Sequence, residues 1–165
     1  MLKNIQGFID YFEGVRRRTL NYLKTIPSDS LNWSPREGEF TIRDLLFHLT
    51  VTEKMFVGVF IRNKWKYEDN HADHKEDSLD QLIAYLEQTH IGAMNALRVV
   101  NDTELDQQRL TLEGTSLKAW RLLMMMVEHE VHHRSQLAVY LSLMGVQPPH
   151  IFGMGVEDVI ARATG

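Results

Sequence analysis

The stretch from Ala119 to Met144, AWRLLMMMVEHEVHHRSQLAVYLSLM, decides how this chain is read. Steps of three and four along it give Ala119, Leu122, Met126, His129, His133, Leu137, Tyr140 and Met144, one stripe down one face of a helix. His129 and His133 lie on that otherwise apolar line. An α-helix advances about 100° per residue, so positions four apart differ by only about 40° and their imidazoles can converge on one ion. Burying two histidines without a shared partner leaves several ring nitrogens to satisfy, which favours a metal over two independent core residues. His132 is rotated about 100° away from His133, toward Glu128 and Gln136.

Three further helices follow from the same periodicity. Ile5, Phe8, Ile9, Phe12, Val15, Leu20 and Leu23 predict a first helix over Ile5–Leu23, closed by Pro27. Thr41 reads as an N-cap with Asp44 in the first turn, opening a second helix that runs to about Asn63. Ser78 reads as the cap of a third, striped by Leu82, Tyr85, Leu86, Met94 and Leu97. Thr115 or Ser116 is expected to cap the fourth helix, and Gly145 to terminate it. Arg109 to Leu112 reads as briefly extended with no pairing partner, and the tail from Gly155 as a short helix. The expected fold is all-α: a four-helix bundle formed by residues 1–165 as one domain. Connections of roughly fourteen residues after the second and third helices exceed the usual range and leave room for crossovers.

On the second helix, Leu45, His48, Thr52, Met55 and Val59 form another line of threes and fours, which places His48 beside a buried stripe able to face the fourth helix. A third imidazole completes a neutral three-nitrogen set suited to zinc or nickel, and also to iron or copper, with one position left open. His71, Asp73 and His74 fall in a polar loop and read as solvated. His90 has no partner of matching spacing, and His150 follows two prolines. Trp33, Trp120, Met126 and Phe152 read as core positions near the bundle mouth.

Composition narrows the function classes. The chain has 165 residues, 44% hydrophobic and 24% charged, with a net charge of -4, which gives no general reason to expect nucleic acid or an anionic membrane as partner. Arg16, Arg17 and Arg18 form one basic cluster, but three consecutive helical residues point three ways. There is no cysteine, which removes disulfides, thiolate ligands and a cysteine nucleophile, and fits a cytoplasmic location. The longest apolar run, Leu122 to Val127, is far short of a membrane span.

Three segments, Asn32–Pro35, Thr41–His48 and His129–Gln136, resemble the DinB family of small metal-binding helical bundles over nearly the whole chain. The family's terminal signature usually reads His-His-Arg-Gly-Gln, and Ser135 stands here at the glycine position, where it is expected to crowd a close helix contact. The resemblance implies an unusual bundle connectivity, a homodimer, and ligation by His48, His129 and His133. It also implies thiol-dependent transfer with a low-molecular-weight thiol, whose sulfur a metal would deprotonate. His129-Glu130-Val131-His132-His133 also satisfies the H-E-x-x-H pattern, in which the glutamate acts as general base, so metal-assisted hydrolysis is the competing expectation. Against it, a residue next to His129 can point away from the ion, leaving Glu130 as an exposed acid. A third reading is a non-enzymatic, metal-stabilised binding or stress-response module.

Overall fold

The computed structural model describes residues 2–67, 71–75 and 77–163. Its elements are α1 (Ile5–Leu23), α2 (Ile42–Arg62), α3 (Leu79–Arg98), β1 (Gln108–Leu110), β2 (Ser116–Lys118), α4 (Ala119–Leu143) and α5 (Val156–Ala163), with 3₁₀ turns at His71–His74 and Asp102–Asp106. Local chemistry sets the helix starts. Asn4 accepts from the Gly7 amide, and Thr41 with Asp44 and Ser78 with Gln81 form reciprocal capping boxes. At the end of α4, Gly145 sits at φ 77°, with the Val146 amide bonded to the Leu141 carbonyl at 2.9 Å and its own amide to that of Ser142 at 3.0 Å. Only a residue without Cβ adopts that left-handed turn at no cost, which is why the helix stops there.

The start of α4 corrects the sequence reading. Gln108–Leu110 pairs antiparallel with Ser116–Lys118, so Ser116 is a strand residue and Lys118 precedes the helix without a side-chain cap. The Gln107 carbonyl takes the Ala119 amide at 2.8 Å instead. Three-residue strands carry too little alternation to be seen by period. The turn between them, with Gly114 at φ 80°, is closed by Thr111 and Thr115.

α2 packs against α3 and α4, and α1 packs against α4 and α3. Helices consecutive in sequence, α1 and α2 or α3 and α4, therefore face each other across the diagonal. The crossings are made by segments 24–41 and 99–118, whereas the long loop after α2 joins two neighbours. An apolar cluster fills each half of the bundle, one around Phe8, Phe12, Phe60, Leu97 and Leu123, the other around Leu23, Leu45, Leu86, Leu137 and Leu141.

Between the clusters lies a buried polar layer. Arg16 is 1% exposed, and one of its terminal nitrogens meets Glu53 of α2 at 2.5 Å and Glu130 of α4 at 3.1 Å. His90 of α3 reaches the other Glu53 oxygen at 2.7 Å, and Arg134 donates to the Val15 carbonyl at 3.2 Å. All four long helices thus meet at one charged cluster. Burial works against the charged form of His90, but the hydrogen bond and charge of Glu53 outweigh it and leave the imidazole above its ordinary pKa.

Removing one member of a buried pair leaves its partner charge uncompensated and costs about 3–5 kcal/mol. Arg16→Leu is therefore expected to lower urea-unfolding stability by about that amount, whereas Arg17→Leu, at an exposed position, changes it by less than about 0.5 kcal/mol.

Candidate metal centre

His48 comes from the second turn of α2, and His129 and His133 from the middle of α4, where the two helices pack together. The three Nε2 atoms converge: His48 and His129 approach at 3.0 Å, His133 and His129 at 3.1 Å. The three residues form the one group of at least three histidine or acidic side chains, among the described residues, whose ligand atoms all lie within 4.8 Å of one another. Nitrogens about 2.0–2.1 Å from a tetrahedral ion stand roughly 3.3 Å apart, close to the spacing seen here. Neutral imidazoles alone fit the cluster poorly. His129 Nε2 carries either one in-plane lone pair or one proton, yet it faces two other Nε2 atoms. A shared cation satisfies all three.

Electrostatics favour the ligating form. Burial, followed by the neighbouring imidazoles of His133, His48 and His132, pushes the His129 pKa down to about 3. Burial likewise lowers that of His133, against a hydrogen bond in which the Gln136 side-chain oxygen accepts from the ring. His129 therefore stays neutral, with a lone pair available, down to low pH, and the downward shift of His133 favours the same ligating form. The far side of each α4 ring is held. Thr52 Oγ1 stands 3.4 Å from His129 Nδ1, and Gln136 Oε1 stands 2.9 Å from His133 Nδ1. Ring edges surround the cluster, with Phe40 5.3 Å from His48 and Phe56 5.8 Å from His129 between centroids.

Glu130 does not belong to this centre. It is 2% exposed and directed at Arg16, so it is neither an exposed acid nor a base aimed at the histidines. The one-residue step from His129 turns it about 100° round the helix, toward α1. His132 is exposed, as its rotation predicts, with its ring 4.8 Å from that of His133. His74 is packed rather than solvated, stacked 4.4 Å from Tyr85 and bonded to Asp77 at 2.7 Å. The side chain of His71 lies outside the described residues. His90 belongs to the charged layer, and His150 is exposed. Met126 is core and Trp33 packs edge-on against Tyr140, but Phe152 is 72% exposed, lying beneath the Arg18 guanidinium. Ser135 is exposed and crowds no helix contact.

Sequence reasoning passed over the charged layer, although a signal for it exists. Arg16, Glu53, His90 and Glu130 each occupy a stripe position between apolar residues of their own helix, four or fewer steps from Phe12, Phe56, Leu86 and Val127. One polar interruption at the same level of each helix marks a layer.

Comparison with known proteins agrees with this architecture. The model of the DinB family matches residues 1–161. YjoA of Bacillus subtilis (strain 168) is 24% identical over 140 residues, spanning 83% of this chain and 88% of YjoA. A DinB-like protein from Bacillus cereus ATCC 10987 superposes with a TM-score of 0.76 at 20% identity, covering 91% of this chain and 99% of that one. YfiT from Bacillus subtilis superposes with a TM-score of 0.70 at 17% identity, covering 87% and 89%. YfiT is described as a probable metal-dependent hydrolase with an unusual four-helix bundle topology. With the diagonal bundle in place and the family model matched almost end to end, the chain belongs to the DinB family.

Proposed function

We propose that this protein is a metal-dependent enzyme of the thiol-dependent transferase type. His48, His129 and His133 hold one divalent transition ion, zinc or nickel before iron or copper, and leave a coordination position open to substrate. The observation that carries this reading is that Nε2 of His129 meets Nε2 of His48 at 3.0 Å and Nε2 of His133 at 3.1 Å, with one ligand atom of each of the three buried or half-buried rings within 4.8 Å of the others. Imidazole donors without a carboxylate or thiolate suit those ions rather than magnesium or calcium. When bound, such an ion lowers the pKa of a thiol or water in its open position. The chain's own side chains surround the donors: Thr52 and Gln136 stand on the Nδ1 side of the His129 and His133 rings, and the Phe40 and Phe56 edges limit water around them.

Hydrolysis is the second reading, and the description of YfiT as a probable metal-dependent hydrolase favours it. Glu130 is committed to Arg16, so a hydrolytic base would have to be another group. The two readings separate in one assay series on the metal-loaded protein. Product formation from an electrophile that needs both added thiol and metal supports transfer, whereas ester or amide cleavage without thiol supports hydrolysis. Metal-dependent melting with neither activity points to a binding module. The assembly is read as a homodimer, supported by exposed apolar side chains on α1 and α3 such as Tyr11 and Ile91, the latter 58% exposed. Among the described residues no helix is long and apolar enough to cross a membrane, and the cysteine-free sequence fits the cytoplasm.

Two outcomes are expected. By elemental analysis after gel filtration, His48→Ala, His129→Ala and His133→Ala each lose the ion, with affinity reduced at least about a hundredfold, whereas His132→Ala and His150→Ala retain it. The metal-free protein should lose stability as pH falls from about 6.5 toward 3. The unfolded chain takes up protons at its ordinary histidine pKa of about 6.5, while folded His129 resists them down to about 3. Urea unfolding of His129→Gln should show a shallower decline across that window, and an equal slope would count against the burial argument.

A further inference from the structure

His133 can direct the Nε2 lone pair at a metal only if its proton sits on Nδ1. That Nδ1–H needs an acceptor, and Gln136 Oε1 stands 2.9 Å away. The requirement fixes the amide orientation, since the oxygen must face His133 and the NH₂ must point the other way. It does so into a fitting partner, because Gln136 Nε2 donates to the Tyr140 hydroxyl at 3.0 Å. Tyr140 is 3% exposed and packs edge-on against Trp33 at 5.4 Å. Trp33 is anchored in its turn, its amide bonded to the Ser30 carbonyl at 2.9 Å and its carbonyl to the Ile42 amide at 3.1 Å. The run from the imidazole to the start of α2 is therefore continuous, through hydrogen bonds as far as Tyr140 and a ring contact from Tyr140 to Trp33.

The other α4 ring is held more loosely. Thr52 Oγ1 is 3.4 Å from His129 Nδ1, and its hydroxyl proton is committed to the His48 carbonyl at 2.6 Å. Of the two α4 rings, His133 is thus the one whose orientation depends on a dedicated side chain.

We propose that Gln136 is a positioning residue for the metal centre: it selects the Nδ1–H tautomer of His133 and fixes the ring plane, and Tyr140 holds it in place. The inference rests on the three-histidine reading of the site. Gln136 touches no metal or substrate itself. Its effect is on the strength and geometry of metal binding, because partners beyond the ligands orient them and raise their basicity.

The test is zinc affinity by chelator competition at neutral pH, with urea unfolding of the metal-free protein alongside and cobalt(II) absorption as a geometric readout. Gln136→Leu should weaken zinc binding about 10- to 100-fold and change the cobalt d–d spectrum, while the metal-free unfolding midpoint stays near that of the parent. Gln136→Glu, whose carboxylate still accepts from Nδ1–H, should bind within about threefold of the parent or more tightly. Tyr140→Phe should fall between them, with a loss of about three- to tenfold. If Gln136→Leu does not fold, Gln136→Met serves the same comparison. Zinc binding by Gln136→Leu equal to the parent, while His133→Ala loses the ion, overturns this inference and leaves the metal reading intact. Zinc binding unchanged in His133→Ala overturns the metal reading itself.

Discussion

The contact between Arg16 and the two carboxylates of Glu53 and Glu130 is the constraint on which the rest of this bundle depends. One guanidinium nitrogen from α1 holds an acid on α2 and an acid on α4, deep between two apolar clusters. Apolar packing alone is tolerant of sliding, since one leucine does much the same work as another. Charges are not tolerant. A slip of one turn between α2 and α4 would set Glu53 or Glu130 among the phenylalanines or leucines of a neighbouring cluster without a counter-charge, which is the costliest arrangement a core can hold. The pair therefore specifies axial register more than it adds stability. This is consistent with its incomplete hydrogen bonding, for Arg16 Nε and NH1 and Glu130 Oε1 have no hydrogen-bond partner among the described residues.

That register is what places the histidines. Thr52 and Glu53 are consecutive on α2, as are His129 and Glu130 on α4. A single step round each helix turns one of each pair toward α1 and the other toward the facing helix, so the ion cluster and the histidine cluster stand back to back at one level. The candidate centre is built of imidazoles where the structural layer is built of carboxylates and a guanidinium. With Glu53 and Glu130 turned to Arg16, the donors are imidazoles without a carboxylate, and a divalent ion among them would retain its full positive charge toward an anionic fourth ligand such as a thiolate or hydroxide.

Much of this was legible in the sequence because it rests on period. The stripe through His129 and His133, the parallel line through His48, and the caps at Thr41, Ser78 and Gly145 all follow from spacing and local chemistry, and the helices fall where those signals put them. What escaped was non-local or too short. The pairing of Gln108–Leu110 with Ser116–Lys118 spans only three residues a side, and the role of Arg16 depends on two carboxylates 37 and 114 positions further on. Read locally, Arg16 is one of three basic residues in a row; only the fold separates it from the exposed Arg17. Likewise Glu130 completes a peptidase-like pattern on paper, and only the choice of neighbour for that face of α4 takes it away from the histidines.

The most direct measurement of the central claim is X-ray absorption spectroscopy on the zinc- or nickel-loaded protein, with His48→Ala beside it. The account predicts three imidazole nitrogens at about 2.0–2.1 Å plus lighter exchangeable scattering, with one imidazole lost in the variant. A spectrum dominated by carboxylate or solvent oxygen, or one identical in His48→Ala, would contradict it.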